Sequence, residues 1–250
     1  MQPQKQLKIL LIGDSCTDEY VYGTCERLNP EAPVPILNLK RKETTRGMAC
    51  NVRENLMSFG MEVFILTNNE SITKTRYIDE KSNQHILRVD DERPLEPMNY
   101  ELPEDEYDAL VISDYDKGFL TSKKIQELVD WFEGPVFIDS KKTKLPKKDC
   151  YLKINEIESK LLKGYKNLIV TKGAGGADYN KVNYPGEKTK IVDVVGAGDT
   201  FLSALVYFYL LCGRIEEAIP YANKAAAIAV QNFGTYVLTE NDVKDLRGGY

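Results

Sequence analysis

The chain has 250 residues, 42% hydrophobic and 28% charged, with 33 Lys and Arg against 38 Asp and Glu for a net charge of −5. A chain of this size buries roughly 70–75% of its unfolded surface and needs no disulfide or metal staple, so disorder and a disulfide scaffold are excluded. The mildly acidic balance disfavours a nucleic-acid partner, and five scattered cysteines with no C-x-x-C pair read as reduced thiols of a cytoplasmic protein.

The N-terminus, MQPQKQLKILLIGD, has too short an apolar run for a signal peptide. Its Lys8–Asp14 portion reads as a buried parallel strand ending at a functional loop. Residues Ser15–Pro35 look loop-rich, and Ile36, Leu37 and Leu39 followed by charges predict an exposed strand. Val52, Leu56 and Phe59 share one face of a helix over Cys50–Gly60, with Gly60 as its stop. A strand over Glu62–Thr67 follows. Thr75–Glu80 and His85–Asp91 alternate apolar and charged residues and predict a hairpin around Lys81–Gln84. His85, the one histidine, falls on its surface and is assigned no role.

Asp108–Asp114 is a further buried strand. Ile125, Leu128, Val129 and Phe132 mark an amphipathic helix over Thr121–Gly134, stopped by Gly134-Pro135. Strands over Val136–Asp139, Tyr151–Ile154 and Asn167–Thr171 enclose a helix over Glu156–Lys163. Ala177–Asn180 and Lys190–Val195 are expected to pair across Tyr184-Pro185-Gly186. Thr200–Cys212 predicts a buried helix, apolar almost all round but shorter than the ~18 residues that cross a bilayer, so no membrane partner is expected. An Ala-rich helix (Tyr221–Asn232) and a short C-terminal helix close the chain. The alternation predicts a doubly wound, mainly parallel α/β sheet in one domain over 1–250. Segments of about 15–46 and 74–92 break the rhythm and predict a small β lid over the strand ends. The Lys-rich runs Lys40–Glu43 and Lys141–Lys148 read as solvated faces.

The sharpest chemical signal is Asp193-Val194-Val195-Gly196-Ala197-Gly198-Asp199-Thr200. Three small residues before a helix let backbone N–H groups converge at its positive end, which makes an anion cup. A carboxylate there repels a phosphate, so Asp199 makes sense as the group that takes a proton from an attacking hydroxyl. The competing explanation is an N-cap role. Asp14, Asp114 and Asp139 each end a strand, where open α/β sheets bind ligands. Lys74, Arg76 and Arg88 on the hairpin, and Arg27 before it, suit phosphate or edge protection.

The ordered motifs GDSCTDEYVYG, RLNPEAPVPIL, RGMACNV, TKTRY, HILRVDDE, SDYDKG, FIDSKK, KINEIE, LIVTKG and DVVGAGDTF resemble the ribokinase-like (PfkB) carbohydrate kinases from about Lys8 to Asp245. Within that family, EAPVP, TKTR…LRVDDE and DYxKG look most like the D-glycero-β-D-manno-heptose 7-phosphate kinase domain of bifunctional ADP-heptose synthesis enzymes. The resemblance implies Asp199 as catalytic base and Gly196, Ala197 and Gly198 as the anion hole. It implies sugar contacts at Asp14, Asp18, Gly47 and Asn51. It implies ATP contacts at Asn155, Thr171, Lys172, Gly173 and Asn223, and Mg²⁺ near Glu158. Lys74, Arg76 and Arg88 become candidates for a substrate phosphate, with Arg88 assigned to substrate binding. A homodimer through the lid is implied as well.

The departures are specific. Arg46-Gly47 stands where Gly-Gly is usual, Lys153-Ile154 replaces Thr-Pro before Asn155, and the GAGD motif keeps one leading acid, Asp193. After Asn69, a stretch with a G-x-D-x-x-G motif, a helix and a strand is missing, on the sugar side. A compact ATP- and Mg²⁺-dependent sugar kinase is expected, with another sugar, a nucleoside or a catalytically impaired relative as alternatives. The sequence stops at Tyr250 without a nucleotidyltransferase segment, so another chain is expected to supply adenylyl transfer.

Overall fold

The computed structural model describes residues 5–162 and 164–248. Its main sheet is built from β1 (Lys8–Gly13), β4 (Glu62–Thr67), β7 (Ala109–Asp114), β8 (Val136–Ser140), β9 (Tyr151–Asn155), β10 (Leu168–Thr171), β11 (Ala177–Tyr179) and β12 (Val182–Tyr184). The order is β12-β11-β10-β9-β8-β7-β1-β4. The six strands from β4 to β10 are parallel, and β11 and β12 extend the sheet antiparallel. Alternating side chains of β1 feed both faces. Ile9 and Leu11 pack with Val52, Leu56 and Phe59 of α1 (Ala49–Ser58) and with α4 (Ala197–Cys212) and α5 (Ile215–Ala229). Leu10 and Ile12 pack with Ile125, Leu128 and Val129 of α2 (Ser122–Trp131). Helices on both faces make this the doubly wound arrangement that the alternation of elements predicts.

The second sheet has the order β3-β2-β5-β6, from β2 (Ser15–Leu28), β3 (Pro35–Met48), β5 (Thr73–Asp79) and β6 (Gln84–Asp91). It grows out of the carboxyl ends of β1 and β4, so it stands over the strand ends, where the lid is expected. The hairpin β5–β6 forms as predicted. Its inner face carries Asp18 and Tyr20 of β2 beside Lys74 and Arg76 of β5, which in turn lie opposite Asp90 and Arg88 of β6. Tyr20 accepts a hydrogen bond from the Thr235 N–H at 3.2 Å, and the Thr45 and Thr235 hydroxyls lie 2.7 Å apart. These contacts rest the second sheet on the segment between α5 and α6 (Glu240–Arg247).

Four expectations need correction. Ser15–Pro35 is not loop-rich, because residues 15–28 form a long central strand. Cys16, Asp18, Tyr20 and Tyr22 alternate inward, and Gly23 allows close pairing, since a Cβ there would sit 2.5 Å from the Asn38 carbonyl oxygen. Lys190–Val195 does not pair with β11. Asn180 and Lys181 both adopt left-handed backbone (φ 50° and 66°), which closes a two-residue hairpin onto β12 instead. The helix expected over Glu156–Lys163 is one turn, α3 (Glu156–Ser159), and Lys163 lies outside the described residues. The Ala-rich helix begins earlier, at Ile215, and carries Pro220 inside it. Among the described residues no helix is long and apolar enough to cross a membrane.

Candidate active site

Parallel register brings the strand-end acids to one edge. Gly13 lies beside Ser113, Ser113 beside Asp139 and Asp139 beside Lys153 on β1, β7, β8 and β9. The start of α4 meets this edge. Gly196 is the cap residue, in a left-handed conformation (φ 76°), and no side chain caps the helix. Asp199 therefore does not cap it. Its Oδ2 accepts from Asn51 Nδ2 at 2.9 Å and its Oδ1 accepts from the Tyr115 hydroxyl at 2.7 Å. The residue is 3% exposed, and burial pushes its carboxyl up to about 6 against the opposing pull of those two donors.

The two glycines at the start of α4 permit close approach of neighbouring side chains. A Cβ on Gly196 would lie 2.8 Å from Asn51 Nδ2, and one on Gly198 would lie 2.8 Å from Lys153 Nζ. Asn51 and Lys153 therefore flank the three small residues. Lys153 is buried, with Nζ donating to Asp139 Oδ2 at 2.5 Å. Sequence reasoning passed over Lys153 and Tyr115. A lysine amid Tyr151-Leu152-Lys153-Ile154 at a buried strand position was the available signal, since a buried charge demands a partner. Asn51 is itself held by Asn55 one helical turn on, whose Nδ2 donates to the Asn51 side-chain oxygen at 3.2 Å.

Asp14 is completely buried. Its Oδ2 accepts from the N–H of Tyr115 at 2.7 Å and of Lys117 at 3.3 Å, so it holds the loop that delivers the Tyr115 phenol. Its Oδ1 has no hydrogen-bond partner. Burial, and after it the charge of Asp114, pushes Asp14 up to about 6. Asp114 is likewise raised by burial, and it accepts from Ser140 Oγ at 2.5 Å and Lys142 Nζ at 3.2 Å. Lys142 is thus no part of a solvated face, contrary to the expectation for Lys141–Lys148.

On the second sheet, Asp18 is buried and accepts from Arg76 Nη1 at 2.5 Å. Gly47 is required beside it, because a Cβ would come 2.1 Å from Asp18 Oδ2. Arg88 is exposed and pairs with Asp90 through two bonds of 2.6 and 2.7 Å. Lys74 lies 3.6 Å from Glu92, which also pairs with Lys117 of the main body. Lys74, Arg76 and Arg88 therefore already face carboxylates.

The remaining residues gather around β9 and β10. Asn155 caps α3, accepting from the N–H groups of Ile157 and Glu158 at 2.9 Å, and Glu158 returns a bond to the Asn155 N–H at 2.9 Å. Glu158 also pairs with Lys141 at 2.5 Å. Thr171 donates to the Ile154 carbonyl at 3.1 Å, Lys172 pairs with Asp178, and Gly173 (φ 55°) opens the following turn. Asn223 donates to the carbonyls of Tyr184 and Pro185 at 2.9 and 3.2 Å and braces the turn there. Among the described residues no group of three or more His, Cys, Asp or Glu forms a metal cage. A Mg²⁺ ion that arrives on nucleotide phosphates keeps most of its waters and needs only one or two carboxylates. Glu158 can supply one once Lys141 releases it, since its two oxygens are now held by the Asn155 N–H and by Lys141.

Residues 144–242 match the model of the pfkB family carbohydrate kinases. The chain is similar to the bifunctional protein HldE of Nitratiruptor sp., 30% identical over 300 aligned positions that cover 95% of this chain and 64% of the relative. It is similar to HldE of Helicobacter acinonychis, also at 30%, covering 94% and 65%. The chain thus spans a little under two thirds of the length of these relatives. Among solved structures, ribokinase from Thermotoga maritima superposes with a TM-score of 0.72 at 19% identity, covering 97% of this chain and 99% of that one. An Arabidopsis thaliana ribokinase complexed with ribose and ATP gives 0.67 at 15%, covering 97% and 99%. These likenesses establish the ribokinase-like fold.

Proposed function

We propose that the chain, which matches the pfkB family carbohydrate kinases over residues 144–242 and is similar to HldE proteins, is an ATP-dependent sugar kinase. The γ-phosphoryl group passes to a hydroxyl of a sugar that already bears a phosphate. D-glycero-β-D-manno-heptose 7-phosphate is the substrate of choice, giving the 1,7-bisphosphate. The observation that carries this reading is the buried Asp199 carboxylate set between Asn51 and Tyr115 at the start of α4. The heptose assignment rests on the EAPVP, TKTR…LRVDDE and DYxKG segments.

In this reading ATP lies along the β9–β10 side of the sheet edge, with Asn155, Thr171, Lys172, Gly173 and Asn223 around it. The sugar lies under the lid near Asp18, Gly47 and Asn51. Asp199 accepts the proton as the acceptor oxygen attacks phosphorus. The first amides of α4 and the Lys153 ammonium receive the developing charge on the phosphoryl oxygens. Mg²⁺, held near Glu158, supplies further neutralisation of the phosphates when bound. Closure of the lid keeps water from the reacting atoms. A phosphate on the sugar meets Lys74, Arg76 and Arg88 on the lid's inner face and competes there with Glu92, Asp18 and Asp90. The outer face of the hairpin exposes Leu87 and Val89 and suits pairing with a second copy in a homodimer. The free cysteines suit a cytoplasmic setting.

A second reading, a kinase of an unphosphorylated sugar or a nucleoside, is favoured by one observation, the pairing of Lys74, Arg76 and Arg88 each with a carboxylate. ADP release measured over a panel of sugars, nucleosides and sugar phosphates separates the two. Turnover confined to acceptors with a terminal phosphate supports the first reading. Equal turnover on dephosphorylated acceptors supports the second, and a panel in which no acceptor raises ADP release above the acceptor-free rate contradicts both.

A further inference from the structure

Asp199 is a base whose two oxygens are both already occupied. Asn51 is an expected neighbour of the sugar, but the Tyr115 hydroxyl stands 2.7 Å from Oδ1, the distance at which an acceptor hydroxyl must stand to give up its proton. The carboxylate is almost fully withdrawn from solvent. A phenol is a poor proton source here. Burial, and then the charges of Asp199 and Asp139, raise the Tyr115 hydroxyl well above its ordinary range, so it keeps its proton and remains a donor.

The attachment of Tyr115 suits a side chain that yields. Its backbone is pinned, with the N–H on the buried Asp14 carboxylate at 2.7 Å. The next residue, Asp116, turns the chain in a left-handed conformation (φ 58°), and Gly118 follows at φ 111°. The ring lies at the seam between the sheets, 5.7 Å from the Lys74 ammonium of the lid and 5.8 Å from the Lys141 ammonium of the body. Backbone and ring are thus held by different groups: the ring packs against the hydrophobic cluster on the α2 side of the main sheet and faces one ammonium from each sheet.

We propose that Tyr115 is a gate on the base, occupying the acceptor's seat until a sugar hydroxyl displaces it and so denying Asp199 to water. The proposal rests on the kinase reading above and deepens it by naming what discriminates a carbon-borne hydroxyl from water. In either reaction the acceptor oxygen forms a bond to the γ-phosphorus, the bond from that phosphorus to the ADP oxygen breaks, and the acceptor's proton goes to Asp199. Water gives inorganic phosphate, and the sugar gives its phosphate ester. A sugar held by the lid can displace the phenol with its own binding energy, whereas a lone water cannot.

The test is acceptor-free release of inorganic phosphate from ATP with Mg²⁺ by the full chain, compared for wild type, Tyr115→Phe, Tyr115→Ala and Tyr115→Phe/Asp199→Asn. The gate predicts that Tyr115→Phe hydrolyses ATP about tenfold faster than wild type, the factor one lost hydrogen bond to a charged group supplies. Tyr115→Ala should exceed that rate, and the double variant should fall back to the wild-type level. A loss of folding lowers hydrolysis, so a gain is not a merely structural effect. ATP binding retained in both single variants with hydrolysis no faster than wild type overturns the gate and leaves the kinase reading standing. Faster hydrolysis in variants of a chain that phosphorylates no acceptor in the panel supports the gate and contradicts the sugar assignment. No binding of ATP by the wild type overturns both.

Discussion

Lys153 and Asp139 form a buried ion pair on adjacent parallel strands, Nζ to Oδ2 at 2.5 Å, directly beneath the first turn of α4. Removal of one member of such a pair leaves the other charged, desolvated and alone. Lys153→Met should therefore destabilise the fold by about 3–5 kcal/mol, and Lys153→Met/Asp139→Leu should recover much of that loss. Urea unfolding of the single and double variants measures both. A double variant no more stable than Lys153→Met contradicts the pairing.

Gly198 lies where any side chain meets that ammonium. Gly198→Val should displace Lys153 or the helix start and lower both turnover and ATP affinity, because a Cβ at 2.8 Å from Nζ leaves no room. Steady-state kinetics and nucleotide titration check this. Unchanged constants would argue against a phosphate cup at this glycine.

The raised carboxyls fix the sign of the pH dependence. Asp14 and Asp199, both pushed up to about 6, bind protons more tightly folded than unfolded. The stability they lend is complete below the unfolded value near pH 4 and is lost as the pH rises through about 6. Asp14→Asn keeps an acceptor for the Tyr115 and Lys117 amides and removes the buried charge. It should stabilise the protein by roughly 2–3 kcal/mol at pH 8 and by little at pH 4. Denaturant midpoints at the two pH values decide it, and an equal effect at both contradicts the assignment.

Gly47 predicts a lid defect. Gly47→Ala drives a Cβ to 2.1 Å from Asp18 Oδ2, and the carboxylate must leave Arg76 or the strand must shift. Sugar affinity should fall at least tenfold while ATP affinity stays near wild type, as isothermal titration with each ligand can show. An equal loss of both would mean the fold, and not the lid, had failed.

Much of this was legible in the sequence. The apolar strands ending in Asp14, Asp114 and Asp139 announced a parallel sheet with its acids on one edge, and Gly196-Ala197-Gly198-Asp199 announced the tight entry into α4 at that edge. Val52, Leu56 and Phe59 marked the core-facing side of the helix that begins at Ala49, and Asn51 and Asn55 lie beside that face. The central lid strand was missed because Asp18 is a charge on a buried position, and only its pairing with Arg76, 58 residues on, makes that tolerable. The β11–β12 hairpin was misplaced because Asn180-Lys181 lacks the glycine that usually signals such a turn. Tyr115 carries no such signal, since its meaning depends on the Asp199 carboxylate across the sheet edge, whereas Lys153 betrays itself only as a charge within a buried strand. Asn155 and Asn223 hold local backbone here, a role that no motif separates from ligand contact.

The account stands on Asp199 as the proton acceptor. Asp199→Asn keeps the shape of the side chain and its place between Asn51 and Tyr115 while removing the base. Turnover of the best acceptor should fall by about 10²–10⁴-fold with ATP affinity preserved. Turnover within a few-fold of wild type would contradict it.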